Sequence, residues 1–392
     1  MTPLRPPSPV SSQPMAPEPK THARRGVHAG VRLGWLRQFV KQVPPGMSTL
    51  DVVLTIIKPA TKERLCRYVL LAEEESPGAV GTAKIFASHT WRAPFRDLVA
   101  ALAHVADDKD FVWIDIFAVL QWELEDGITQ KQAAEKLEDL DFAAVVKATE
   151  AFVLVGTHVE AVAQLSNMDA LAKLVPPEAK ELSAFFRVWC LAEMAAALQA
   201  AKPVVLLVGK AASGEELRFE PNGAMLQKLY WVMDIRQAAA SREEDRVRIL
   251  KEVDEGVGAD ALNTLARGAV SGAGACMKQR EVLSSAMGNG APLAALQEPE
   301  ALAEALRSAA AAGLMAPLKA LLGRSEEVAV DAKVNNGMTA LMAAAVGGHA
   351  TAIAALLAAG AGVEAKDEYG MTALMRAARC GHAAAIEALL AA

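Results

Sequence analysis

The chain has 392 residues, 53% of them hydrophobic and 22% charged, with a formal net charge of -6. That length exceeds one ordinary core and asks for two domains or more. The acidic balance argues against a nucleic-acid binder, which needs clustered Lys and Arg to neutralise phosphates. No apolar run approaches the roughly 18 residues that span a bilayer, so no membrane partner is expected. Four scattered cysteines, Cys66, Cys190, Cys276 and Cys380, form neither a CxxC pair nor a disulfide framework. A reducing, cytoplasmic setting without a metal site is the expectation.

Residues 1–46 are of a different kind. Nine prolines lie between Pro3 and Pro45, and Arg and Lys outnumber the single acid, Glu18. Such a leader neither buries a core nor forms regular structure throughout, and a disordered tether is expected. The spacing Pro3-x-x-Pro6 also suits an SH3-type groove, a pattern common by chance.

A globular α/β domain with flanking helices is expected over 47–255. Ser48 and Asp51 ahead of VVLTII read as a helix start, with Pro59 as its stop. Four apolar runs follow: AKIFAS near Ile85, FVWIDIFAV from Phe111, AFVLV from Ala151 and PVVLLVG from Pro203. Strands apolar on both faces and separated by helix-length segments predict a doubly wound parallel sheet. PFRDLVAALAHV, QKQAAEKLEDLDFAAVVKAT and FFRVWCLAEMAAALQA supply the crossover helices. Ligands gather beyond the carboxyl ends of such strands, which carry Ser88 and His89, then Gln121, then Thr157 and His158. Later, SREEDRVRIL predicts a helix with a capping box of Ser241 and Glu244.

A strand ending FASHTW, a second reading FVWIDIFAV and a helix reading WCLAE together resemble the Toll/interleukin-1 receptor (TIR) superfamily. The likeness is to a TIR-like branch of algal and other protist proteins, often found beside ankyrin repeats, and covers about residues 84–210. It implies a flavodoxin-like fold. It also implies that Glu193, in WCLAE, is the catalytic carboxylate of an NAD-cleaving activity, with NAD as substrate rather than a permanently bound cofactor. Ser88, His89, Trp91 and Asp115 then stand where the nucleotide would bind. Cleaving the ribose–nicotinamide bond develops positive charge on the sugar, which a nearby carboxylate stabilises.

Other readings of the same residues stay open. A lone Glu among alanines fits the solvent-facing stripe of an amphipathic helix. Trp91, Trp113, Trp122 and Trp189 could stack on a base, although aromatic residues in such sheets are more often core. Ser88, His89 and Asp115 have the residue types of a hydrolase triad, but strand neighbours point to opposite faces and cannot pair simply. Gly209-Lys210 lacks the first glycine and the hydroxyl of a phosphate loop. The chain departs from the plant TIR pattern by some thirty extra residues between Val155 and Phe186, which would reshape or cover the pocket, and by Leu120 in a place the branch gives to Asn.

A Gly/Ala-rich linker is expected over 256–298. Beyond it, Gly337, Thr339 and His349 recur as Gly370, Thr372 and His382 at a spacing of 33, and a degenerate copy begins near Ala305. About three repeats over 299–392 resemble ankyrin repeats, an all-α solenoid, with TALM in place of TPLH. His349 and His382 then fix the turn between paired helices. The array implies a protein partner, and its last repeat an apolar flank that a second copy of the chain could cover. The expected function is a signalling and interaction protein, the ankyrin repeats recruiting a partner and the TIR-like domain self-associating. The alternative is an NAD glycohydrolase using Glu193.

Overall fold

The computed structural model describes residues 29–263 and 297–392, apart from 131, 134–135, 137–139, 164–174, 201, 215, 224, 227–228, 230–232, 256–257, 261, 312, 314, 325 and 334–336. A seven-stranded sheet organises the N-terminal part. Its strands are β1 Ala29–Arg32, β2 Val80–Thr82, β3 Ile85–Ser88, β4 Phe111–Trp113, β5 Ala151–Thr157, β6 Val204–Ala211 and β7 Phe219–Pro221, in the spatial order β2-β1-β4-β3-β5-β6-β7. The four inner strands β4, β3, β5 and β6 are parallel. At the margins β1, β2 and β7 pair antiparallel, so the wholly parallel sheet expected from the apolar runs is in fact mixed.

Alternation along the inner strands explains why both faces read as apolar. Phe86, Trp113, Phe152 and Leu206 belong to one core, while Ile85, Val112, Val153 and Val205 belong to the other. The second core is covered by α1 Leu33–Phe39 and α2 Phe95–Val105. The first lies under α3 Phe142–Ala148, α4 Val188–Gln199 and α5 Glu243–Glu255.

Several expected boundaries move. Residues 29–46, assigned to the leader, contain β1 and α1, while 1–28 lie outside the described residues. Four residues, AGVR, give too short a run to announce a strand, yet Ala29 and Val31 are buried against their neighbours. Gly30 permits this closeness, because a Cβ there would meet Ala83 Cβ at 2.9 Å and Val112 O at 3.1 Å. The run FVWIDIFAV is a strand only to Trp113, and Asp115–Ala118 then form one helical turn. Apolar character persists through that turn because Ile116 and Phe117 are also buried. At the other end, residues 258–260 and 262–263 belong to the α/β body rather than the linker. Ala259 and Leu262 are in its core, and Asn263 Oδ1 accepts from Ile235 N at 2.9 Å. The remainder of the linker, 264–296, lies outside the described residues.

The capping box at Ser48 is present: its side chain accepts from Asp51 N at 3.1 Å, and Asp51 Oδ2 accepts from Ser48 N at 3.2 Å. Pro59 does not stop the helix that follows. Thr49–Val52 passes into a π-turn over Val53–Ile57, and helix resumes over Lys58–Thr61. Proline has no N–H to give and its ring crowds a carbonyl one turn back, and a π-turn is one way to relieve both. Ser48→Ala should cost about 1 kcal/mol, read as a lower urea midpoint at unchanged slope; an unmoved midpoint would mean that solvent replaces the cap. The box expected of Ser241 and Glu244 is not found among the described residues. Helix α5 opens two residues after Ser241, whose hydroxyl accepts from Arg187 Nη2 at 2.7 Å.

The C-terminal part is a stack of helix pairs: α6 Pro299–Ala311 with α7 Met315–Leu322, α8 Ala340–Gly347 with α9 Ala350–Ala358, and α10 Ala373–Cys380 with α11 Ala383–Leu390. Thr339 and Thr372 cap the inner helices by accepting from Met342 N and Met375 N. Gly348 and Gly381 end them at φ 74° and 73°, where a side chain would be strained. Each repeat is tied to the one before it by its histidine. His349 Nε2 bonds Ala311 O at 3.0 Å, and His382 Nε2 bonds Val346 O at 2.9 Å. Both histidines are thus structural, and they join neighbouring repeats as well as shaping the turn.

Candidate functional site

Pleating decides which groups can meet at the carboxyl ends of the strands. Ser88 shares the parity of Phe86, whose core lies beneath α4, so its hydroxyl faces that helix. Glu193 sits on α4, and Ser88 Oγ donates to its Oε2 at 2.5 Å. Burial pushes the Glu193 carboxyl up to about 8, opposed by the Ser88 hydrogen bond and reinforced by the negative Asp115. The residue as a whole is half-buried.

Asp115 is fixed from two sides. Its Oδ2 accepts from Trp91 Nε1 at 2.7 Å and its Oδ1 from Ile116 N at 2.8 Å. His89, of opposite parity to Ser88, reaches the cluster through its backbone, where its carbonyl accepts from Cys190 Sγ at 3.4 Å. Burial holds the imidazole below its ordinary pKa, with Asp115 pulling the other way, and its Nε2 is buried without a hydrogen-bond partner. Cys190 is buried too, and burial together with Glu193 pushes its thiol well above the usual range, away from the thiolate a nucleophile needs.

All five residues singled out in the sequence therefore belong to one neighbourhood. Only Ser88 and Glu193 touch by side chain, and Trp91 touches Asp115. Cys190 escaped sequence reasoning; its place one helical turn before Glu193 was the available signal. Of the other tryptophans, Trp113 stacks on Phe86 at 4.7 Å as core, and Trp122 Nε1 donates to Thr61 Oγ1 at 3.0 Å. Gly209 is needed by the sheet, since a Cβ there would meet Glu220 O at 2.3 Å. Gln121 Nε2 donates to Asp115 O at 3.2 Å and Val119 O at 3.0 Å. Thr157 is buried, and His158 stands apart with Asn222 and Glu160.

On its outer side Glu193 lines a groove of about 300 Å³ with Phe142, Trp189, Arg248 and Glu252. Trp189 forms its aromatic floor: Phe142 meets it edge-on at 5.7 Å and the Arg248 guanidinium lies over it at 5.0 Å. Ser88 and His89 do not line this groove. The described end of the long connection, with a short helix Pro177–Leu182, crosses the loop after β3. There Thr90 Oγ1 donates to Glu181 O at 2.7 Å and Phe185 fills the space beside Gly156. Residues 164–174 of that connection lie outside the described residues.

Among the described residues no group of three or more His, Cys, Asp or Glu is placed to hold a metal ion, and no helix is long and apolar enough to cross a membrane. Residues 306–392 match the family model of ankyrin repeats, in three copies. No curated protein matches the chain. The ankyrin repeats support a protein-interaction role for the C-terminal part.

Proposed function

We propose that the chain is a signalling and interaction protein in which the ankyrin repeats recruit a protein partner and a TIR-like α/β domain associates with its like. The observation that carries it is the three-repeat match over 306–392, with the stack it describes. The parallel core order β4-β3-β5-β6 supports the TIR-like assignment. Tyr369 and Met375, 70% and 51% exposed, offer the partner an anchor. Asp367 Oδ1 accepts from Tyr369 N and Met371 N, both at 2.9 Å, and so holds the tip that presents the ring. Affinity capture with the full chain and with Tyr369→Ala/Met375→Ala should lose a discrete set of partners in the variant; an unchanged set would refute recruitment through this tip.

A second reading, cleavage of NAD, is favoured by the Ser88–Glu193 contact beside Asp115. In it the bond from ribose to nicotinamide breaks, water adds to the sugar carbon, and ionised Glu193 stabilises the cationic transition state. With its pKa near 8, that carboxylate is mostly protonated at neutral pH. Nicotinamide release should therefore climb about tenfold per pH unit below that value and level off above it. Glu193→Gln should abolish it. No release from dilute or concentrated wild-type protein would leave the interaction role alone.

A further inference from the structure

Far from Glu193 in sequence, α1 and the helix Tyr68–Glu75 frame an open groove of about 470 Å³. Its floor is aromatic. Trp35 lies 5.2 Å from Phe39 and 6.4 Å from Tyr68, and Phe39 meets Tyr68 edge-on at 5.8 Å. Phe39 and Tyr68 are buried against Phe117 while Trp35, also against Phe117, is half-buried, so Trp35 gives most of the open aromatic surface on a rigid base.

The rim is chemically distinct from a plain core defect. Among the described residues, Trp35 Nε1, the Tyr68 hydroxyl and the amides of Gln38 and Gln42 make no hydrogen bond to the protein. Burial, then the Glu75 charge, pushes the Tyr68 phenol up to about 12, so it remains a donor. Aromatic surface with spare donors is what a polyproline II strand requires, because its rings pack on the aromatic faces and its carbonyls have no internal partners. Among the described residues Glu75 at one edge holds no ion pair, and Lys41 stands on the other rim.

The chain carries a fitting ligand. Pro3, Pro6 and Pro9 recur every third residue, the period that puts them on one edge of a polyproline II helix. Arg5 falls between the first two. Over residues 1–28 four basic side chains, Arg5, Lys20, Arg24 and Arg25, face one acid, Glu18. The leader joins the fold at β1, immediately before the helix that builds the groove. The 20 residues from Pro9 to Ala29 reach about 60 Å at ~3.1 Å each, ample for a turn back along that helix.

We propose that the proline-rich segment Pro3–Pro9 docks in the Trp35–Phe39–Tyr68 groove of its own chain, with Arg5 against Glu75. Tethering favours this occupant, because a segment of the same chain meets the groove at an effective concentration set by the connection rather than by dilution. Docking would place the leader across one edge of the α/β domain and hold it from other polyproline readers.

The test uses the full chain with a benzoyl-phenylalanine photocrosslinker replacing Leu4, followed by mass mapping. Crosslinks within one chain to residues 33–42 or 68–75 are expected. The triple variant Pro3→Ala/Pro6→Ala/Pro9→Ala should lower their yield about tenfold. Glu75→Lys, an exposed change that should not unfold the helix, should lower it as well, and Arg5→Glu in the same chain should restore it. Scattered crosslinks, or a yield indifferent to the prolines, would overturn the proposal. So would groove crosslinks found only between chains and rising with concentration, which would make a second copy the occupant.

Discussion

Raising the pH from 5 to 8.5 is expected to weaken the α/β domain by about 4 kcal/mol through Glu193 alone. The folded carboxyl has its pKa pushed to about 8, against 4.5 in the unfolded chain. Below 4.5 both states hold the proton and the carboxyl contributes no pH dependence. Between the two values the unfolded chain has released its proton while the folded one keeps it, so unfolding gains ground as pH rises. Above about 8 the loss is complete. A domain stable by only 5–15 kcal/mol feels such a term strongly. Urea titrations read by tryptophan fluorescence report this domain alone, since all six tryptophans lie before residue 232. Glu193→Gln keeps an acceptor for Ser88 and cannot titrate, so this fall in stability should be missing from it. His89, whose pKa burial lowers, works in the opposite sense and is common to both proteins, so the difference isolates Glu193. Equal slopes for wild type and variant would show that the carboxyl is hydrated and ionised in the folded state.

The elements that sequence patterning recovered are those whose apolar run is long and buried on both sides. β5 and β6 announce themselves in AFVLV and PVVLLVG, and the repeats in a spacing of 33. What it could not recover is set by distant partners. AGVR becomes a strand only because β2 and β4 lie on either side of it, and FEP becomes β7 only because Gly209 lets Glu220 approach. Pro59 shows a strong local signal overridden by a π-turn that no composition rule anticipates.

The candidate site was legible in its membership and not in its wiring. WCLAE identified Glu193, and the strand ends identified Ser88 and His89. That Ser88 alone reaches the carboxyl follows from strand parity, which is readable once the end of β3 is known. The role of Cys190, whose thiol is tied to the His89 carbonyl, is a matter of three-dimensional fit. Nor could spacing show that Glu193 stands between a polar cluster and an aromatic groove.

The repeats should respond to pH in the reverse direction. Burial lowers the His349 pKa to about 4; its bond to the Ala311 carbonyl opposes this, and the nearby His382 adds to it. Near neutral pH the ring is uncharged in both states. As pH falls from 6.5 toward 4 the unfolded chain takes up a proton that the folded repeat refuses, so stability drops by about 3 kcal/mol. His382, lowered by its own burial, adds in the same sense. In a stack of three repeats each interface is a large share of the total, and losing the joint at Ala311 loosens the first repeat from the second. His349→Gln retains a donor for that carbonyl without a titrating ring. It should unfold more easily at pH 7, because the ring packs closely on Gly313 and Gly347, and yet lose most of the acid dependence. The Ile353 methyl resonance, buried within the stack, follows this in urea free of the tryptophan signal. An acid slope as steep in the Gln variant as in wild type would assign the sensitivity to other groups, such as the buried Asp367–Arg376 pair.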